Sequence, residues 1–349
     1  MSARQAGAAL AAAMGIGRFV YTPILPLMTT QAGLSATAAA SLATANYLGY
    51  FVGAVATIVR APTRATNRAA LVLLVATLAG MPLAHGMTAW FVLRLLAGIA
   101  SAVVFVAAVN AGPGWGLSGV GVGIALSGLI VLVHAEWEFA WWAAAGASAL
   151  LTLAAWSLRP RKPEPRPTTS RQKGFGTLFA SYTLEGIGYI IAGTFLVAAI
   201  SGPLGSGAWI LVGASAALSP ALMKLGGRHL LAATLAVQAV GIALPALIGG
   251  TVATLIAVVL FGGTFLTIAG ITLKAGANLG FPRAAAVLTT GYSAGQILGP
   301  LLAAPLLHNG YDQALLLAAA LVLTAAAPLS RRQDAARTPP RRTPAELAE

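Results

Sequence analysis

The stretch MGIGRFVYTPILPLM, residues 14–28, has a near echo in EGIGYIIAGTFLVAA, residues 185–199, and together they decide how the chain is read. Each carries Gly-Ile-Gly followed by a large side chain able to hydrogen bond, Arg18 in the first and Tyr189 in the second. Each lies inside a long apolar run and opens one half of the sequence. Arg18 comes about a dozen residues into its run, which at ~1.5 Å of rise per residue places it near the middle of a ~30 Å hydrocarbon layer. An arginine at that depth costs roughly 2.5–3.5 kcal/mol or more, so it is expected to face protein and to be partnered. Glu185 is the only acid well inside an apolar span and lies at a similar depth. One buried base and one buried acid are the expected functional pair.

The composition around these runs sets the class. Of 349 residues, 58% are hydrophobic and 8% charged, with a mean hydropathy of +0.83. A soluble domain carries about 25% charged residues, so this chain cannot cover itself with a polar surface and reads as an integral membrane protein. The net charge of +13 invites a nucleic-acid partner. The basic residues, however, sit in short loops and tails between apolar runs, which is a topology signal, and no nucleic acid is expected. Cysteine is absent, so no disulfide framework, thiolate metal site or redox centre is available. The alanine-rich start resembles a secretory leader, but its apolar run continues through Arg18 and two prolines, so it reads as a retained first span.

Apolar runs predict twelve helices, at 6–28, 38–58, 68–84, 87–109, 117–133, 138–157, 175–200, 206–223, 229–248, 252–273, 284–306 and 312–330. Alternating their direction puts 19 of the 21 lysines and arginines on one side; the other two, Arg18 and Arg94, lie within spans. The opposite loops have none, so both termini are expected in the cytoplasm of a bacterial inner membrane. Leu158–Gly174, LRPRKPEPRPTTSRQKG, reads as a stiff cytoplasmic linker. The expected division is a six-helix bundle over 1–157, the linker 158–174, a second bundle over 175–330 and a cytoplasmic tail over 331–349, whose basic residues anchor topology or rest on anionic lipid.

The two halves repeat beyond the Gly-Ile-Gly echo. The fifth span holds Gly119, Gly123 and Ser127, and the eleventh holds Gly291, Gly295 and Gly299 before Pro300. Small residues at every fourth position form a flat stripe that admits a neighbouring helix closely. The correspondences run first to seventh and fifth to eleventh, so the repeat is parallel, six plus six. Many secondary transporters are built this way, with their sites near mid-membrane between the halves.

Several phrases carry a family resemblance: GIGRFVYTPILPLM (15–28), ANYLGYFVGA (45–54), LEGIGYIIAGTFLVA (184–198), FGGTFLTIAGIT (261–272) and GQILGPLLAA (295–304). Taken together they resemble the YbfB/YjiJ-type branch of the major facilitator superfamily, over nearly the whole chain. The resemblance implies a twelve-helix permease working by alternating access. Arg94-Leu-Leu-Ala-Gly98 is similar to the superfamily's fourth-helix arginine motif, linked in proton-coupled members to proton transfer. Two departures stand out. The loop 59–68, VRAPTRATNR, lacks the acid of the superfamily's motif between helices two and three, and Gly-Ile-Ala-Leu-Ser-Gly (123–128) lacks the Gly-Pro ending of drug/proton antiporters.

Arg18 is the candidate anchor for an anionic group or the partner of Glu185, with Tyr21 and Thr22 one turn on and expected on its face. Pro23 and Pro26 should kink the outer half of that helix. Glu185 is the candidate proton carrier, since burial and a nearby arginine would compete over its charge. The plainer reading of both is a fixed buried ion pair. Arg94 sits near the outer end of its span, where snorkelling to the interface is the plainer role. Asn46 and Tyr47, Tyr189, Gln238 and Gln296 are polar groups in mid-span that either line a cavity or satisfy a neighbour. His134, Glu136 and Glu138 form a His-x-Glu-x-Glu run at an outer end, but no second cluster completes a metal or hydrolytic site, and Trp137, Phe139, Trp141 and Trp142 mark an aromatic belt. No P-loop precedes a Lys-Ser or Lys-Thr pair. The sequence therefore reads as a cofactor-free secondary transporter of a small organic solute, not an enzyme, coupled to protons and acting as a monomer. Efflux of amphipathic compounds is the alternative, and a non-transporting sensor or scaffold is the reading from another class.

Overall fold

The computed structural model of the chain describes residues 3–111, 114–160, 174–198, 203–226 and 229–335. Among these residues it is all helical, and we number twelve helices in chain order. They are α1 (Ala3–Gln31), α2 (Ala36–Val59), α3 (Arg64–Leu83), α4 (Met87–Ala111), α5 (Ser118–Val133, entered through a 3₁₀ turn at Gly114–Leu117) and α6 (Trp137–Ala155). Then follow α7 (Phe175–Ala198), α8 (Pro203–Leu218, with a 3₁₀ turn Ser219–Leu225), α9 (Leu230–Ile248), α10 (Gly250–Asn278), α11 (Ala284–Ala303) and α12 (Asp312–Ala335). Eight of these segments, α1 to α5 and α8 to α10, are long and apolar enough to cross a membrane by length and composition; the apolar part of α12 ends at Ala327.

Local chemistry sets several boundaries. Ser35 caps α2 by accepting from the backbone N–H of Ala38, at 3.2 Å. Thr63 and Thr66 form a reciprocal capping box, which starts α3 at Arg64, four residues before its apolar run. Gly249 and Gly310 take positive φ of 72° and 104° at the turns before α10 and α12, where a side chain would be strained. The final helix continues to Ala335, into the stretch expected to be tail. The remainder of that tail, and residues 161–173 of the expected linker, lie outside the described residues.

Small residues decide which helices touch. Gly119 and Gly123 of α5 sit directly on Gly7, Ala11 and Gly15 of α1, while Gly291, Gly295 and Gly299 of α11 sit on Phe179, Thr183, Ile187 and Ile190 of α7. Gly49 and Gly53 of α2 lie on the backbone of Leu95 and Ile99, and Gly98 of α4 lies on that of Asn46. In each case an added Cβ would overlap backbone or side-chain atoms of the facing helix, so these crossings exist because the residues are glycine. Helices α1–α6 pack among themselves, as do α7–α12, and the two groups meet through α2 against α11 and α5 against α8. At the second seam Gly121 meets Ala217 and Gly213 meets Ala125. Trp209 Nε1 donates to Ser127 Oγ across it at 3.1 Å.

Candidate functional site

The site begins with a flaw in α1. Its backbone loosens into a π-helical turn over Ala11–Ile16, where the Gly17 N–H bonds to Ala12 O at 2.8 Å, and residues 17–20 leave helical order. Pro23 has no N–H to give, and the Thr22 N–H bonds to Phe19 O at 3.2 Å, one residue short of the helical partner Arg18 O. Carbonyls left loose in an apolar layer need donors from neighbouring helices. Ser148 Oγ and Ser101 Oγ donate to Ala12 O (3.4 Å) and Ala13 O (2.8 Å). Arg94 supplies the rest, with Nη1 to Gly17 O at 3.4 Å and Nη2 to Arg18 O at 3.3 Å.

Arg94 therefore does not snorkel. It is buried, its guanidinium lies 4.8 Å from the Tyr21 ring and 6.0 Å from that of Trp141, and its own carbonyl accepts from Asn46 Nδ2 at 3.1 Å. The broken helix offers it internal partners that the interface would otherwise provide. Tyr21 belongs to this cluster and not to Arg18: the break turns it away, and its hydroxyl donates to Ala39 O at 3.0 Å. Thr22 is half-buried beside it.

Arg18 points the other way, toward the second group of helices. Its Nη2 donates to Gln296 Oε1 on α11, and its guanidinium carbon lies 4.0 Å from the centre of the Tyr50 ring, with Tyr47 at 5.5 Å and Phe19 at 5.7 Å. Its Nε and Nη1 are buried and have no hydrogen-bond partner.

Glu185, in the middle of α7, is 1% exposed, and neither of its carboxylate oxygens accepts a hydrogen bond. The expected ion pair is absent: no contact within 4.0 Å joins Glu185 to Arg18 or Arg94. Among the described residues the one ion pair is His134–Glu136, at 3.2 Å on the surface, with His134 against the Phe139 ring. The polar neighbour of Glu185 is Gln238 on α9, whose own amide is buried without a regular hydrogen bond. Tyr189 and Tyr292 lie within electrostatic reach of both Arg18 and Glu185.

Beside Tyr50 and Gln296 is a small cavity of about 30 Å³, the share of a single water in the liquid. Residues of α1, α2, α4, α5, α7, α10 and α11 line it, and seven of the thirteen are aromatic, against 7% in the chain as a whole. Tyr182 stacks on Tyr292 at 4.5 Å and Tyr189 on Phe261 at 5.2 Å. Gln296 and Tyr50, the two contacts of Arg18, are both part of the wall. Sequence reasoning missed Tyr50, Tyr182 and Tyr292. A signal was present: of seven tyrosines, only Tyr311 falls outside the apolar runs, although tyrosine usually collects at membrane interfaces.

Over residues 10–330 the chain matches the family described as "Uncharacterised MFS-type transporter YbfB". Among solved structures it is similar to that of the human organic anion transporter MFSD10 (TETRAN), with a TM-score of 0.71 and 15% identity over 94% of this chain and 100% of that one. At that identity the likeness is one of fold. No curated protein matches the sequence.

Proposed function

We propose, from the premise that this chain belongs to the YbfB-type family of major facilitator superfamily transporters, that it moves a small organic solute by alternating access coupled to protons. Transport across a membrane comes with the family, which is one of transporters and not of enzymes. The finer reading is that all twelve helices cross the bilayer, that 1–157 and 175–330 rock as two bundles within a bacterial inner membrane with both termini cytoplasmic, and that the protein acts as a monomer. Arg18 and Gln296 hold the solute, Tyr189 forms its wall, and Glu185 carries the proton. Arg94, with Asn46 and Tyr21, positions the broken stretch of α1 that bears Arg18.

One observation carries this reading. A buried base from one helix group and a buried acid from the other flank one small cavity, lined by the contacts of Arg18 (Tyr50 and Gln296) and by the tyrosines within reach of Glu185, and each keeps polar atoms without a regular hydrogen bond. Leaving such groups unmatched costs several kcal/mol, a cost accepted where a ligand or a proton completes the site. Uptake into proteoliposomes, of compounds first found to raise the melting temperature of the purified protein, tests it. Failure to accumulate any such compound under an imposed proton gradient, with exchange also absent, would overturn it.

The aromatic wall favours a second reading, efflux of amphipathic compounds. Ligands of either charge would then stabilise the protein equally, with or without Arg18.

A further inference from the structure

Resting on the reading of this cavity as a transport site, we infer that its solute is a small aromatic monocarboxylate, and that the solute crosses together with one proton in the same direction. The ligand class follows from the donors and the walls. Arg18 Nε and Nη1 carry three of the five N–H donors of a guanidinium and are unused, while Nη2 is already on Gln296. A carboxylate is the group that takes a guanidinium edge by two parallel hydrogen bonds. Among the described residues no carboxylate lies within 4.0 Å of Arg18, so the site lacks one negative charge. The second buried arginine, Arg94, turns both Nη groups to the carbonyls of Gly17 and Arg18 and leaves only its single Nε donor without a partner, so it offers no free two-donor edge to a second carboxylate.

The rest of the solute must then suit rings. Tyr50 lies under Arg18, and Tyr182, Tyr189, Tyr292, Phe19 and Phe105 enclose the space beyond. Aromatic faces and edges receive another ring in offset or edge-on contact better than a flexible chain. A volume of about 30 Å³ holds a water and not a ring, so the rings part when the solute enters and close behind it.

The coupling sign follows from Glu185. The groups that face it are Tyr182 and Tyr189 on its own helix, Tyr292 on α11 and Gln238 on α9; α10 presents Phe261 and Phe265, and α12 presents Ala318 and Val322 to the adjoining Gly188. Arg18 is the cation within reach of Tyr189 and Tyr292. An anion bound to Arg18 and an ionised Glu185 would be two like charges in a medium of low dielectric, where each disfavours the other. The anion therefore binds best when Glu185 holds a proton, and the loaded pair crosses with no net change in charge. A cationic solute would instead compete with the proton and exchange against it.

The experiment has a binding arm and a flux arm. In the first, melting temperature is followed for the purified full-length protein with benzoate, its neutral relative benzamide and the cation benzylammonium. Benzoate alone should raise it. The shift should vanish in Arg18→Gln, with affinity falling about 10- to 100-fold for the loss of a charged hydrogen-bonding group. Gln296→Glu guards against a folding failure, because a near-isosteric carboxylate beside Arg18 keeps the packing and supplies the missing charge internally. That variant should melt no lower than the parent and ignore benzoate. Stabilisation by benzylammonium, or a benzoate shift that survives both substitutions, overturns the ligand class.

In the second arm, proteoliposomes are given benzenesulfonate, which stays charged and does not leak as a neutral acid. An alkaline interior should drive its accumulation, and Glu185→Gln should abolish that drive while leaving exchange. Accumulation driven by an acidic interior overturns the shared direction. Benzylammonium flux in place of benzenesulfonate keeps the transport reading and overturns this inference. A benzoate shift without flux under any gradient supports the ligand class and overturns both transport and coupling.

Discussion

Arg94 Nη2 donates to the backbone carbonyl of Arg18 at 3.3 Å, so one buried guanidinium holds the backbone that carries the other. The two arginines are next to each other and play opposite parts. Arg94 has both Nη groups engaged with Gly17 O and Arg18 O and lies against the Tyr21 ring, leaving Nε alone unpartnered, whereas Arg18 turns across to the second group of helices with Nε and Nη1 both to spare. Among the described residues no acid lies within 4.0 Å of either. Their burial is offset by carbonyl dipoles and by ring faces, the latter worth about 2 kcal/mol when a cation is desolvated.

Arg94 should behave as a positioning residue. Its two hydrogen bonds are long, at 3.3 and 3.4 Å, so we take the lower part of the range for charged bonds and expect Arg94→Met to cost about 3 kcal/mol. Thermal unfolding in detergent reads this as a lower melting temperature. Lysine places a point charge where a fork is needed and reaches one carbonyl, so Arg94→Lys should recover part of the loss. A melting temperature unchanged by Arg94→Met would mean that water or backbone adjustment satisfies the break in α1.

Glu185→Gln should separate binding from energy coupling. The amide keeps the shape and can pair with Gln238, so ligand-induced stabilisation should persist at neutral pH, or strengthen. Uptake should lose its dependence on the pH gradient, because no titratable carboxyl remains behind the tyrosines that line the cavity. Solute-solute exchange at equal pH should continue. If gradient-driven accumulation survives in this variant, the proton travels elsewhere.

The sequence announced the helices and the depth of the two charges because hydropathy and charge bias report directly on burial in lipid. It did not reveal their separation. A one-dimensional register places Arg18 and Glu185 at matching depth, but they do not pair, and the meeting of Tyr189 and Tyr292 within reach of both follows only from the packing of α7 on α11. The rotation of Tyr21 away from Arg18 was hidden for a related reason. A regular helix would put both on one face; the π turn before Gly17 and the missing N–H of Pro23 break that register, and the prolines alone locate the bend too late. The glycine stripes of α5 and α11 were legible as flat faces, since spacing shows a stripe, whereas their partners, α1 and α7, were not.

Glycine substitutions offer a paired test of the packing. A Cβ at Gly98 would meet Asn46 O and the Tyr50 N–H at 2.8 Å, both backbone atoms that cannot swing aside. Gly98→Ala should therefore cost about 1–3 kcal/mol by overpacking, despite the better helix propensity of alanine. Gly146, on the exposed face of α6, has no atom within 4 Å of an added Cβ. Gly146→Ala should be neutral or stabilise by up to about 1 kcal/mol. Melting temperatures that move together in the two variants would show that α2 and α4 do not pack this closely in the bilayer.

The ends that we read as cytoplasmic meet at a contact that alternating access has to break. Lys224, at the foot of α8, holds its ammonium 4.7 Å from the ring of Trp115, which leads into α5, and Arg283 Nη1 donates to Val59 O at 2.8 Å. Both contacts join one helix group to the other, and both are exposed, so their energies are small, about 0.5–1 kcal/mol for a solvated cation–π pair. They suit a seam that opens in every cycle. The chain has no native cysteine, so Trp115→Cys with Lys224→Cys gives a pair with no background. Bridging that pair with a short bifunctional methanethiosulfonate should stop proteoliposome flux, and a reductant should restore it. The same reagent on either single variant should leave flux near the parent value. Full flux through the bridged protein would mean that these ends stay together throughout the cycle, and the two groups of helices would then have to exchange access by some motion other than rocking about the cavity.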